Sequence, residues 1–194
     1  MAGVRRRARR DEWIYAQVVT ARAACSHCCY CGHRFPPALR WPRTCAACGN
    51  VSYRNPLPVA VLVLPVEEHG VVMVRRASPP VGLAFPSGFI EYGERWQDAA
   101  ARELVEETGV RVDPELMREL RVRSGSDGTL LVFATAPALS RAALEAFTPS
   151  AEVSGLVVLD GPRDDVVFPL DAELLAERFA PGPGRGSPPL ALEG

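Results

Sequence analysis

The sequence lacks a long apolar run, an excess of charge of either sign, and any internal repeat. A membrane-spanning helix needs about 18 or more successive apolar residues, and no segment reaches that length. The 22 basic and 23 acidic residues give a formal net charge of −1, which provides no overall attraction to nucleic acid or to a membrane. Arginines crowd residues 5–10, but Asp11 and Glu12 follow where the apolar part of an export signal would begin. These absences predict a soluble, cytoplasmic protein with no membrane partner, and make nucleic acid an unfavoured partner.

Cysteine is absent outside one short segment, since all six cysteines lie between Cys25 and Cys48. Two Cys-x-x-Cys-Gly motifs fall within it, at 28–32 and 45–49. A gap of two residues lets both sulfur atoms of a motif reach one ion, and the glycine permits a tight turn. Four thiolates favour a structural Zn²⁺ site, because four protein ligands leave no open position for chemistry. The predicted zinc ligands are Cys28, Cys31, Cys45 and Cys48.

The same cysteines allow two alternatives. The letters CSHCCYC also permit a first pair made of Cys25 and Cys28. The cysteines could instead form two disulfides, which an intracellular setting disfavours. Cys25 and Cys29 are surplus to a site of four ligands, and their role stays open.

Shifts in composition divide the chain into four parts. The first is rich in arginine and the second in cysteine, the third alternates apolar runs with turns, and the last is rich in proline and glycine. We therefore predict a basic segment at 1–24, a zinc ribbon at 25–54, a main domain at 55–180 and a disordered tail at 181–194.

The main domain shows strands around one central helix, which is an α+β pattern. Apolar β-rich runs at 59–65 and 70–77 indicate a hairpin with Gly70 at its turn. A helical pattern covers 95–108, and Gly109 stands where a glycine ends a helix. Further strands are predicted at 119–125, 129–136 and 155–160, and short helices at 140–147 and 170–180.

Three acids, Glu103, Glu106 and Glu107, share one face of the predicted central helix. Like charges at these spacings destabilise a helix by about 0.2–0.5 kcal/mol per pair. Arg102 could pair with Glu106, which leaves Glu103 and Glu107 repelling each other. A solvated charged helix is the simpler interpretation, but a divalent cation would relieve the repulsion, and oxygen ligands suit Mg²⁺ or Mn²⁺. The helix therefore indicates metal-assisted phosphate chemistry.

The segment around this helix resembles the signature of the Nudix hydrolases, G-x5-E-x7-R-E-U-x-E-E-x-G-U, in which U is an apolar residue. A four-cysteine ribbon, an Asn-Pro linker and a strand pair precede it, which is similar to the layout of zinc-ribbon Nudix proteins. That group includes NADH, FAD and ADP-ribose pyrophosphatases. All nine defined positions are filled, by Gly88, Glu94, Arg102, Glu103, Leu104, Glu106, Glu107, Gly109 and Val110.

This resemblance implies a fold, an α/β/α sandwich with a mixed sheet, and a Mg²⁺-dependent reaction. The reaction would cleave a nucleoside diphosphate linked to a moiety X, giving a nucleoside monophosphate and phosphorylated X. A nucleotide would be the partner molecule, and a homodimer is common in the family. The implied Mg²⁺ ligands are Glu103, Glu106, Glu107 and the carbonyl of Gly88, and Glu94 with Arg102 would tie the loop to the helix.

The attacking water would need a group to accept its proton. The family resemblance implies Glu103 or Glu107 for this role. Many members use a further acid near the final strand, for which Glu152 is the favoured candidate and Asp127 the second.

The chain also departs from particular members of the family. NADH pyrophosphatases carry a Ser-Gln-Pro-Trp motif after the signature, whereas this chain has no tryptophan after Val110. The region 123–128 also lacks the markers of ADP-ribose and diadenosine polyphosphate hydrolases. The identity of X therefore stays open. Candidate aromatic platforms for a base are Trp41, Tyr53, Phe85, Phe89, Trp96 and Phe168.

The alternative function is that of a non-catalytic nucleotide-sensing or nucleic-acid-binding protein. Such a protein would use the basic N-terminus and the ribbon for contact. The complete set of signature glutamates favours the enzyme, because a sensor need not keep metal ligands.

Overall fold

The computed structural model describes residues 26–68 and 70–180. These residues fall into two compact units, of which the first ends at Leu57 and includes the turn Ser126–Thr129. The basic segment 1–24, Cys25 and the tail 181–194 lie outside the described residues. Within the described ranges, no helix is long and apolar enough to cross a bilayer.

The first unit is a small ribbon. Its strands β1 (Arg43–Thr44) and β2 (Val51–Ser52) pair antiparallel, with Arg43 opposite Ser52. Its buried cluster of apolar side chains contains only Cys28, Phe35 and Cys45. So small a cluster provides little hydrophobic stabilisation by itself.

Among the described residues, the second unit contains two sheets and two α-helices. The elements are β3 (Leu57–Val63), β4 (Pro65–Val66), β5 (Gly70–Arg76), β6 (Leu83–Ala84), β7 (Ser87–Phe89), α1 (Trp96–Thr108), a 3-10 helix (Pro114–Leu116), β8 (Arg118–Ser124), β9 (Thr129–Thr135), a 3-10 helix (Arg141–Ala146), β10 (Val153–Leu159) and α2 (Pro169–Arg178). One sheet has the strand order β7-β3-β9-β8; the other has the order β10-β5-β4, with β6 also paired to β5. Neighbouring strands pair antiparallel in β3/β7, β4/β5, β5/β6, β5/β10 and β8/β9.

The sheets are covered on both faces, which explains the unbroken apolar runs. Along β3, alternate residues point to opposite faces. Ala60 and Leu62 pack in one core with Leu104 of α1, whereas Val61 packs in a second core with Leu174 of α2. A strand buried on both faces needs apolar residues at successive positions. This layering, together with the parallel bridges at Val66/Leu139 and Leu83/Val166, gives the predicted α/β/α arrangement with a mixed sheet.

Helix α1 begins and ends as the sequence predicts. Its first residue is Trp96, and Gly109 follows its last residue with φ +76°. The N–H of Gly109 donates to the carbonyl of Val105, and a Cβ at position 109 would press on the carbonyl of Ala146. Glycine is required here because the left-handed conformation and the close approach both penalise a side chain.

The predicted hairpin differs in detail. The two long runs pair only at their turn ends, where Pro65 lies opposite Val71, because β3 and β5 lie in different sheets. The turn instead joins β5 to the two-residue strand β4, with Val66 opposite Gly70. The segment before the helix, for which the sequence predicts no strand, contains β6 and β7, which are too short to show a period of two in the sequence.

Candidate functional site

The four predicted zinc ligands meet in the ribbon. Their sulfur atoms all lie within 4.8 Å of one another. The Sγ atoms of Cys28 and Cys48 are 3.7 Å apart, and those of Cys31 and Cys45 are 3.6 Å apart. A tetrahedral ion with Zn–S bonds of about 2.3 Å would place its sulfurs about 3.8 Å apart. The donor set therefore fits one tetrahedral ion, as the predicted ribbon requires.

The two cysteine motifs form the same turn. The carbonyl of Cys28 accepts from the N–H of Gly32, and that of Cys45 from the N–H of Gly49, both at 2.9 Å. Burial disfavours the Cys28 thiolate, but hydrogen bonds from the backbone of Tyr30 and Cys31 and with the thiols of Cys48 and Cys31 outweigh it and lower the pKa of Cys28 to about 6. A backbone hydrogen bond from His33 acts to lower the pKa of Cys31, but the thiol of Cys48 and burial raise it to about 12. The thiolate is the form that ligates a metal, and the clustered thiols differ in how readily they reach it.

The disulfide alternative does not form among the described cysteines, which are all free. Cys29 is exposed and lies outside the four-sulfur cluster, with its Sγ 3.3 Å from the hydroxyl of Ser52. Cys25, on which the alternative pairing depends, lies outside the described residues.

Glu107 is the buried member of the acidic cluster on α1. Its side chain is 7% exposed, and its Oε2 accepts from the N–H of Ser87 at 3.2 Å. Burial raises the pKa of Glu107 well above its usual range, and the charges of Glu103 and Glu152 raise it further. The Ser87 N–H and the charge of Arg76 act in the opposite direction. The charges of Glu103 and Glu152 therefore act on Glu107, and a bound cation would relieve the repulsion.

Gly88 lies against Glu103. A Cβ built at position 88 would overlap the carboxylate of Glu103, so only glycine leaves room for that group. Gly88 pairs with Ala60 of β3 and follows Ser87, whose N–H reaches Glu107. Strand β7 thus presents its backbone directly to the acids of α1.

Arg102 joins the loop before α1 to the helix. Its Nε and Nη2 donate to the two carboxylate oxygens of Glu94 at 2.9 and 3.0 Å, and Nη2 also donates to the carbonyl of Phe89. The hydrogen bonds from Arg102 lower the pKa of Glu94. A bidentate pair of this kind is strong and directional.

Arg102 also relieves part of the repulsion on the helix. Its Nη1 lies 2.6 Å from an oxygen of Glu103, but 3.6 Å from Glu106, whose side chain is 61% exposed. The expected partner, Glu106, is therefore the more distant one. Glu103 is paired with the guanidinium of Arg102, whereas Glu107 is the acid whose pKa is strongly raised.

Two acids outside the signature were candidates for catalysis. Glu152 precedes β10, where its carbonyl accepts from the N–H of Ala77, and its charge acts on Glu107. Asp127 instead accepts from the N–H and hydroxyl of Thr129, which closes a turn. The charge of Glu152 therefore acts on an acid of α1, whereas none of the described contacts of Asp127 involves those acids.

The aromatic candidates for base stacking have different surroundings. Phe85 is 1% exposed and offers no surface for a base, and Trp96 packs against the core beneath α1. The guanidinium of Arg43 lies 4.3 Å from the centre of the Trp41 ring. The guanidinium of Arg76 lies 5.4 Å from the centre of the Phe168 ring.

Sequence reasoning missed two charged residues near the acids. Arg76 ends β5 and acts on both Glu107 and Asp171. Asp171, in the first turn of α2, is 5% exposed and accepts from the N–H of Phe85 at 3.0 Å. Burial raises the pKa of Asp171 to about 7. The sequence signal for Arg76 is a charge at the end of an apolar strand. Nothing in the local sequence distinguishes Asp171 from a surface acid.

Comparison with known proteins places the chain in a family. Residues 56–184 match the model of the NUDIX domain, which is most of the chain. The "NAD-capped RNA hydrolase NudC" of Salmonella typhi is 31% identical over 87 residues, covering 44% of this chain and 34% of that protein. An Escherichia coli NudC is 28% identical over 88 residues with the same coverage. The chain thus spans about a third of the length of the curated relatives it matches.

Solved structures agree on the fold. A NUDIX hydrolase from Nitrosomonas europaea has a TM-score of 0.58 at 24% identity, covering 79% of this chain and 89% of that one. A MutT/nudix family protein from Enterococcus faecalis has a TM-score of 0.50 at 23% identity, covering 57% and 46%. The predicted resemblance, fold class and hydrolase family are confirmed. With its complete signature and its sandwich around α1, the chain belongs to the NUDIX domain family.

Proposed function

We propose that this protein is a Mg²⁺-dependent pyrophosphohydrolase, with Mn²⁺ as the alternative ion. It would cleave a nucleoside diphosphate linked to X into a nucleoside monophosphate and phosphorylated X. The observation that carries the proposal is the packing of β7 against the acids of α1, where the N–H of Ser87 donates to Glu107 and Gly88 lies against the carboxylate of Glu103. Burial raises the pKa of Glu107 well above its usual range, and the charges of Glu103 and Glu152 raise it further.

The residues present fit a hard divalent cation. Glu103, Glu106, Glu107 and the carbonyl of Gly88 would hold it, and all four donors are oxygens, as Mg²⁺ prefers. Gly88 supports this role because a side chain there would displace the Glu103 carboxylate. When bound, the ion would neutralise the pyrophosphate, orient water and stabilise the leaving oxygen.

The remaining roles follow from each residue's contacts. Glu103 pairs with Arg102, at 2.6 Å. Glu107 is the better proton acceptor, because burial, together with the charges of Glu103 and Glu152, raises its affinity for a proton. Glu152, close enough to act on Glu107, would hold or accept a proton on the same side. Glu94 and Arg102 keep the loop and helix together and have no direct part in the chemistry.

The nature of X is the open part of this proposal. The NudC relatives are named for NAD-capped RNA, but the sequence match covers less than half of this chain. The chain also lacks the Ser-Gln-Pro-Trp motif expected for NADH. We therefore assign the class, a nucleotide pyrophosphate such as ADP-ribose, FAD or a nucleotide sugar. The four cysteines would hold Zn²⁺ with a structural role, and a homodimer remains an expectation.

A panel of pyrophosphate substrates tests the proposal. Purified protein with Mg²⁺ is given ADP-ribose, FAD, NADH, a UDP-sugar and NAD-capped RNA in water enriched in ¹⁸O. We expect cleavage of at least one compound to a nucleoside monophosphate, with ¹⁸O on a single product that identifies the attacked phosphorus. Tight binding of a nucleotide without cleavage, under Mg²⁺ and Mn²⁺ alike, would favour the nucleotide sensor instead.

A further inference from the structure

Asp171 has a hydrogen bond that its position in the chain does not explain. An acid in the first turn of a helix usually interacts with the helix's own N–H groups. In α2 the residue before the helix, Phe168, makes no side-chain cap, and the carboxylate of Asp171 accepts from the N–H of Phe85, 86 positions earlier. Both Asp171 and Phe85 are buried, at 5% and 1% exposure.

This contact continues a short parallel ladder. The N–H of Leu83 donates to the carbonyl of Asp165 at 2.8 Å, and the N–H of Val167 donates to the carbonyl of Leu83 at 2.9 Å. In a regular parallel pair, the N–H of Phe85 would donate next to the carbonyl of Val167. The chain instead turns into α2, and the Asp171 carboxylate provides the acceptor at that step. A buried N–H without an acceptor would be costly, so the side chain completes the ladder.

The segment secured in this way is the one that faces the acids. Two residues after Phe85, the N–H of Ser87 donates to Glu107, and the next residue, Gly88, lies against Glu103. Pro86 lies between Phe85 and Ser87, and its carbonyl accepts from the N–H of Leu62 at 2.8 Å. The segment 85–88 is therefore held from one side by β3 and from the other by α2.

We propose that Asp171 is a positioning residue for the metal site. By accepting from Phe85, it sets the position of the backbone that holds Glu107 and receives Glu103. It acts through residues 85–88 and does not itself bind the metal. The inference rests on the proposed function, because the metal site is part of that proposal.

Three variants distinguish a positioning role of Asp171 from a general effect on the stability of the protein. Asp171→Leu removes the acceptor, and Asp171→Asn keeps an acceptor oxygen at the same place. Leu174→Ala, in the same helix and buried at 6% exposure, weakens the packing of α2 but leaves the Asp171 acceptor of the Phe85 N–H in place, and serves as the matched control. If the leucine variant does not fold, Asp171→Ser replaces it, since it also removes the carboxylate but leaves room for water.

Two measurements are made without substrate. Amide hydrogen exchange of a peptide covering residues 85–89 reports on the segment, and the rise in melting temperature on adding Mg²⁺ reports on metal binding. We expect the leucine variant to exchange about fivefold faster in this segment, the change for one lost hydrogen bond of average net strength. Its half-saturating Mg²⁺ concentration should rise several-fold. The asparagine variant should stay near wild type in both.

The controls make each outcome decisive. Leucine and alanine variants that lose melting temperature alike, with unchanged Mg²⁺ saturation and exchange at 85–89, would overturn the positioning role. A wild-type protein that shows no Mg²⁺ response would instead count against the proposed function. The exchange measurement would still decide whether Asp171 holds the segment.

Discussion

The cysteine ribbon and the acidic site on α1 are both groups of metal-ligating side chains, but they are built differently. The ribbon sets its four sulfurs with two local turns, and its core cluster has three buried apolar side chains among the described residues. The acidic site draws on β7, α1 and the residue before β10, and rests on cores on both faces of the sheets. Residues close together in the sequence form the ribbon's cluster, whereas the acidic site is formed by residues that packing brings together from distant parts of the chain.

This difference determines what each metal would contribute. A ribbon with almost no core would depend on its ion for folding. The acidic site already has a scaffold, so its ion would relieve repulsion and support chemistry without being needed for the fold. The following predictions test this contrast, from the largest expected effect to the smallest.

Cys45→Ser should abolish zinc binding. Cys45 is 1% exposed and provides one of the four sulfurs, and a ribbon without its ion should unfold. Metal analysis should fall from about one zinc per chain to none, and proteolysis should become rapid within residues 26–57. Cys29→Ser, outside the cluster, is the control and should keep its zinc. Retention of zinc by Cys45→Ser would exclude the four-sulfur site.

Glu107→Gln should lower turnover by on the order of 10²- to 10⁴-fold, the usual contribution of a positioned proton acceptor. The fold should persist, because the amide keeps the shape of the side chain and removes a buried charge. Steady-state rates with the best substrate of the panel measure the effect, and exposed Glu119→Gln is the control. Equal rates in the two variants would remove Glu107 from the mechanism.

Arg102→Lys should reduce the free energy of unfolding by about 1–3 kcal/mol, because a lysine cannot make both hydrogen bonds to Glu94. Denaturant unfolding measures the loss. The control is Arg95→Lys, whose pairs with Asp98 and Glu115 are exposed and screened by water, so it should be affected far less. Equal losses would mean that the loop and helix are not joined through Arg102.

Asp171→Asn should flatten the dependence of stability on pH. Burial raises the pKa of Asp171 to about 7 in the folded protein, so the folded state binds a proton that the unfolded state has released. Its contribution to stability is present at low pH and is lost as pH rises through about 7. The wild type should lose about 1 kcal/mol more than the variant between about pH 6 and about pH 8.

Denaturant unfolding at several pH values, with no added Mg²⁺, measures this difference. Glu107 titrates in both proteins, so subtracting the two curves removes its contribution. Arg76 opposes the shift at Asp171 and is also common to both. Parallel curves would show that Asp171 is ionised throughout this range.

Much of the fold could be predicted from local patterns. The limits of α1 followed from apolar spacing and Gly109, and the strands after it were predicted within a few residues. The predicted pairing of the two long runs was right only at the turn end, because both runs are mostly apolar and the pattern does not show which sheet each strand joins. Strands β6 and β7 were missed because two or three residues carry no periodicity.

The sequence by itself indicated the four cysteines that cluster in the ribbon, the face of α1 that carries the glutamates, and membership of the NUDIX family. These depend on spacings of two to four residues, which local backbone geometry converts directly into proximity. Only the tertiary structure decided that Glu107 is the buried acid, that Arg102 lies nearer Glu103 than Glu106, and that Asp171 reaches Phe85. Such contacts join positions up to 86 apart, where burial and charge depend on how the sheets and helices pack and not on neighbouring residues.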